Sequence, residues 1–98
     1  ADILNQAGQA EASMAAHARG LRLKGMLAYR ENQLAEAEAL LDQSLSLNSA
    51  DPQAWYDRGL IQLALGKTEA ARSDFQACLD REPRHGRARR QLTPAKNK

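Results

Sequence analysis

The chain has 98 residues, of which 43% are hydrophobic, 27% charged and 4% aromatic, and its net charge at neutral pH is +2. That length holds one small domain, and the Ala/Leu-rich composition favours helices. No apolar run approaches the roughly 20 residues of a membrane-spanning helix, and the single cysteine, Cys78, excludes an internal disulfide or a multi-cysteine zinc site.

From the N-terminus, Ile3, Leu4, Ala7, Ala10 and Met14 fall near helical spacing. Residues 2–16 therefore read as a helix shielding residues 18–51, as the last helix of a preceding unit, or as unpacked chain. No basic stretch followed by an apolar block marks a signal peptide, which favours a cytoplasmic location. A chain beginning at Ala1 is also compatible with a processed product or a fragment. Helices are expected over 19–31, 34–47, 52–65, 68–81 and, briefly, 86–92. Asn32 and Gly66 sit in the turns after the first and third of these, and both residue types tolerate the left-handed conformation that ends a helix. Asp51-Pro52 is a helix start, a carboxylate acceptor followed by proline in the first turn. Glu82-Pro83 ends the fourth helix, because the residue before proline avoids helical geometry. Residues 94–98, from Pro94 on, read as a disordered tail.

Comparing the chain with itself at a shift of 34 residues organises it. Leu21 meets Trp55, Gly25 meets Gly59, Leu27 meets Ile61, Ala37 meets Ala71, Leu41 meets Phe75 and Leu45 meets Leu79. Small residues pair with small ones and large apolar residues with large apolar ones. Each copy is a pair of helices around a short turn.

The second copy reads Trp55-x-x-Arg58-Gly59-x-x-Gln62, then Ala71-x-x-x-Phe75, then Pro83. It resembles the tetratricopeptide repeat, whose pattern is W-x₂-L-G-x₂-Y…A-x₃-F…P at the same period. Arg58 and Gln62 depart from the usual leucine and tyrosine. The first copy keeps Gly25 and Ala37 but has Lys24, Ala28 and Ser49 where leucine, tyrosine and proline are usual. The resemblance implies an all-α, right-handed αα-hairpin solenoid. It divides the chain into an N-terminal helix or preceding-repeat remnant (1–17), two repeats (18–51 and 52–85), a capping helix (86–93) and the tail. The implied repeat core is Leu21, Gly25, Ala37, Leu41 and Leu45, then Trp55, Gly59, Ala71, Phe75, Cys78 and Leu79. Two repeats are few for a solenoid. Residues 86–92 can cap the second copy through Ala88 and Leu92, and self-association is another way to cover apolar faces.

For catalysis the sequence offers no Gly-rich phosphate loop, no nucleophile elbow and no His–Cys or His–Asp spacing of known mechanical meaning. A non-catalytic protein is expected, with no cofactor, metal or small-molecule substrate. His17 and His85, two periods apart, both read as residues at the start of a first helix. Cys78 reads as a buried, inert thiol.

Binding is the stronger class. By resemblance, first helices line a concave groove, which places Arg19, Arg22, Met26, Tyr29 and Arg30 there from the first copy. Gln53, Tyr56, Leu60 and Leu63 follow from the second, and Arg87 and Arg90 from the capping helix. Each set recurs at helical spacing on one face. Arginines flanking a Tyr/Met/Leu floor suit an acidic peptide with apolar anchors, because guanidinium forks carboxylates. On this reading, reversing Arg22 and Arg87 to glutamate weakens partner binding without unfolding the domain. The carboxylate clamp of chaperone-binding relatives (Lys, Asn, Asn, Lys and Arg) is not met, since Arg22, Met26, Asp57, Arg87 and Gln91 stand in its places. Lys24 and Arg58 are read as packing their stems while their ends reach water, or as meeting carboxylates of a partner or a second copy. Two alternatives stand beside the groove. One is self-association within an oligomer. The other is binding of nucleic acid or an anionic surface by the basic stretch Arg84, Arg87, Arg89, Arg90, Lys96 and Lys98, which is disfavoured because no aromatic follows Phe75.

Overall fold

A computed structural model describes residues 2–93, with side chains from residue 10 onward. It contains α1 (Asp2–Arg30), α2 (Leu34–Leu47), α3 (Pro52–Ala64), α4 (Thr68–Arg81) and α5 (Gly86–Leu92), with no strand among the described residues. The expected tail 94–98, with Lys96 and Lys98, lies outside them.

The last four helices fall within one residue of their expected spans, and the first does not. Residues 2–16 are not a helix separate from 19–31: α1 runs through them without interruption. The reason is local. Asn48-Ser49-Ala50-Asp51-Pro52 breaks the chain between α2 and α3, whereas the equivalent Met14-Ala15-Ala16-His17-Ala18 contains no such breaker. His17 accordingly lies in mid-helix rather than at a helix start. Residues 10–16 are exposed apart from the half-buried Ala15.

Both hairpin turns are built alike. Asn32 has φ 62° and Gly66 has φ 83°. The amides of Gln33 and Lys67 donate back to the carbonyls of Ala28 and Gln62, each at 2.8 Å, and those of Asn32 and Gly66 to Tyr29 and Leu63, each at 3.0 Å. These are the paired bonds of a helix end closed by one left-handed residue. Asp51 caps α3 by accepting from the Gln53 amide at 3.0 Å, and His85 caps α5 by accepting from the Ala88 amide at 3.2 Å.

Packing follows the same period. α1 pairs with α2 and α3 with α4. α2 also packs on α3, and α4 on α5, while α1 and α3 touch directly. Gly25 faces Leu41 and Gly59 faces Phe75, so the glycines let one helix of each hairpin approach the large side chain of the other. One core cluster joins Ala28, Ala37, Leu41, Leu45, Ala54 and Ile61. The other joins Tyr56, Ala71, Phe75, Cys78 and Ala88, with Leu60, Leu79 and Leu92 against it. Leu21 is buried at the start of the first hairpin. There Ser44, at the position of Cys78, donates to the Ala18 carbonyl at 2.6 Å.

Candidate functional site

The first helices of the two repeats and the capping helix are linked by a chain of polar side chains. Arg22 of α1 donates to Asp57 of α3 at 3.0 Å, and its Nε lies 3.4 Å from Asp51. Gln53 donates to the other oxygen of Asp57 at 2.9 Å, and its own carbonyl lies 3.0 Å from Nε2 of His85. Because Nδ1 of His85 accepts from the Ala88 amide, Nε2 is assigned the proton and donates to Gln53. Asp57 is 3% exposed. Its burial lifts the carboxyl above the usual 3.8, against the lowering effect of Arg22 and Gln53. Tyr56 is buried with its ring centroid 5.7 Å from Phe75 and 4.9 Å from His85.

Three residues expected in the groove are therefore committed inside the chain: Arg22, Gln53 and Tyr56. The expectation that Arg22 can be reversed without harming the fold is corrected, because its guanidinium holds a buried carboxylate. The other expected groove residues stand differently. Arg19, Arg30, Leu63, Arg87 and Arg90 are exposed. Met26 and Tyr29 are half-buried against the first cluster, and Leu60 against the second.

Arg58 is the second correction. Its end is held by carboxylates of this chain rather than by those of a partner or a second copy. Its Nε and NH2 donate to the two oxygens of Asp74 at 2.7 and 2.9 Å, and NH1 donates to Asp42 at 3.0 Å. The helix-pair register places these carboxylates 16 residues either side of Arg58, a spacing that residue order alone contains. Trp55, expected as an inter-helix filler, is half-buried and packs against both clusters. Arg58 and Arg81 lie 5.1 and 4.6 Å from its ring centroid, and its indole N–H donates to the Ser49 carbonyl at 2.8 Å. Lys24, the counterpart of Arg58, is exposed.

Cys78 is fully buried. Burial pushes its thiol up to about 11, so the nucleophilic thiolate is suppressed at neutral pH. Among the described residues, no group of three or more His, Cys, Asp or Glu is placed to hold a metal, and no helix is long and apolar enough to cross a membrane. Of the basic C-terminal stretch, Arg84, Arg87, Arg89 and Arg90 are exposed, with Arg89 donating to the Pro83 carbonyl at 3.0 Å.

Among solved structures, the crystal structure of MamA is similar to this chain, with a TM-score of 0.76 at 19% sequence identity. The match covers 80% of this chain and 46% of that one, so the chain spans less than half the length of that relative. At such identity the likeness shows the fold, an all-α helical-repeat solenoid. Tetratricopeptide repeats mediate protein–protein interaction or scaffolding and are typically non-catalytic. The pattern of paired helices, the glycine–large-residue contacts one period apart and the identical hairpin turns agree with the family match, a tetratricopeptide repeat model over residues 23–93. The chain belongs to the tetratricopeptide repeat family.

Proposed function

We propose that this chain is a non-catalytic interaction module that holds an acidic peptide with apolar anchors along its first helices. The observation that supports this reading is that Arg19 and Arg30 on α1 and Arg87 and Arg90 on α5 are exposed, as is Leu63, while Met26, Tyr29 and Leu60 are half-buried. Apolar anchors bury against Met26, Leu60 and Leu63, and the arginines orient carboxylates. Arg22, Gln53 and Tyr56 act in this reading as the rigid wall behind the site, since their polar and ring contacts are made within the chain.

The test is a titration of the intact chain with acidic, leucine-containing peptides. Reversing Arg19, Arg87 and Arg90 together to glutamate should weaken binding by about tenfold or more while leaving the melting temperature unchanged, because none of the three lies in the core. Unchanged affinity in that folded variant would overturn the groove.

A further inference from the structure

The repeat period relates Gly20, Leu23, Lys24 and Leu27 of α1 to Ala54, Asp57, Arg58 and Ile61 of α3. On α3 this face is covered by α2 at Ala54, Arg58 and Ile61, while Asp57 beside them meets Arg22 of α1. Ala54 and Ile61 are fully buried in one cluster with Leu41 and Leu45. Asp42 of α2 accepts from Arg58 at 3.0 Å, and Glu38 accepts from Lys67, just beyond the end of α3, at 2.9 Å. One period further, Ala88 of α5 is fully buried in the cluster that includes α4. On α1 no described helix covers the same face. Leu23 is 57% exposed and Leu27 50%, and a Cβ on Gly20 would meet nothing within 4 Å. Lys24 has no ion-pair partner among the described residues. A depression of about 330 Å³ lies beside it, lined by Leu27, Ala28 and Leu40 and also by Glu31 and Glu36.

We propose that this face docks an amphipathic helix of another protein, laid on α1 as α2 is laid on α3. Glu38, early in α2, meets the far end of α3, and Asp42 meets its middle, so the docked helix runs antiparallel to α1. The charges on α1 specify its chemistry. Where α3 is followed by Lys67, α1 is followed by Gln33 with Glu31 and Glu36 nearby, so the partner carries lysine or arginine at the place of Glu38. Lys24 calls for a carboxylate at the place of Asp42. The partner pattern is a cation, an apolar residue three positions on, a carboxylate at four and a second apolar residue at seven. This face is separate from the arginine-flanked groove and does not depend on it.

The probe is a side-chain-stapled helix with the sequence of residues 34–47 carrying Glu38→Lys, titrated into the intact chain. Binding should be saturable and should shift the NMR signals of Leu23 and Leu27. The unsubstituted peptide should bind more weakly. Leu27→Asp in the protein, at a half-exposed position that leaves the melting temperature in place, should cost about tenfold or more in affinity. Lys24→Glu should cost about fivefold, and lysine in place of the peptide's aspartate should restore it. Absence of saturable binding, or equal binding to Leu27→Asp, would overturn the proposal. So would concentration-dependent dimerisation mapping to Leu23 and Leu27 without peptide, which assigns the face to a second copy of the chain.

Discussion

Arg22 and Asp57, 35 residues apart, tie the first helix of one repeat to the first helix of the next through a 3.0 Å charge-assisted hydrogen bond. Their side chains are 17% and 4% exposed, so the pair is shielded from water and from salt. Removing the guanidinium strands a carboxylate that folding has already desolvated. Arg22→Ala should lower unfolding stability by about 2–3 kcal/mol, seen as a lower urea midpoint, and Arg22→Lys should recover part of the loss. A midpoint unchanged in Arg22→Ala would show that water replaces the pair.

Asp57 also has a signature in pH. Burial raises its carboxyl above 3.8 in the folded chain, so the folded state binds that proton more readily than the unfolded state. The resulting stabilisation is present below 3.8 and is lost as pH rises through the folded value. Wild type should therefore gain stability relative to Asp57→Asn as pH falls through that window. Denaturant titrations of both proteins at a series of pH values measure the difference, and a trend of opposite sign would mean that Arg22 and Gln53 outweigh the burial.

The glycine contacts give a packing test. A Cβ at position 59 would stand 2.6 Å from Cε1 of Phe75, which is 1% exposed, and one at position 25 would run into Leu41. Gly59→Ala should cost about 1–3 kcal/mol and Gly59→Leu more, with Gly25→Ala behaving likewise. Gly86, where a Cβ meets nothing within 4 Å, is the control and should tolerate alanine. Thermal melts of the four variants decide it. Full stability in both Gly59 variants would refute close approach at that crossing.

Cys78 reports on opening of the second hairpin. With its thiol pushed up to about 11 and no exposed surface, it should react with a disulfide reagent at pH 8 far more slowly than a free thiol, and promptly once urea unfolds the chain. Rapid stoichiometric labelling of the native protein would show that α4 is not held as tightly as its packing implies.

Helix ends, turns and hairpin partners are legible from residue order alone because their causes act over short distances. Asn32 and Gly66 end helices by their own backbone freedom, Asp51 caps the amide two residues on, and a 34-residue period sets Gly25 against Leu41 as it sets Gly59 against Phe75. The continuous α1 is the exception: the period suggests a boundary at 14–18, and the helix runs through it because no breaker stands there. What an arginine does was decided by the tertiary structure. Arg19, Arg22 and Arg58 are alike in sequence, yet Arg19 is exposed, Arg22 holds Asp57, and Arg58 holds Asp74 and Asp42. Leu27 and Ile61 occupy the same place in the repeat, one half-exposed and one fully buried, because α2 covers α3 and none of the described helices covers that side of α1. Partnership and burial depend on which helix lies alongside, and that is a property of the assembled layers rather than of any local run of residues.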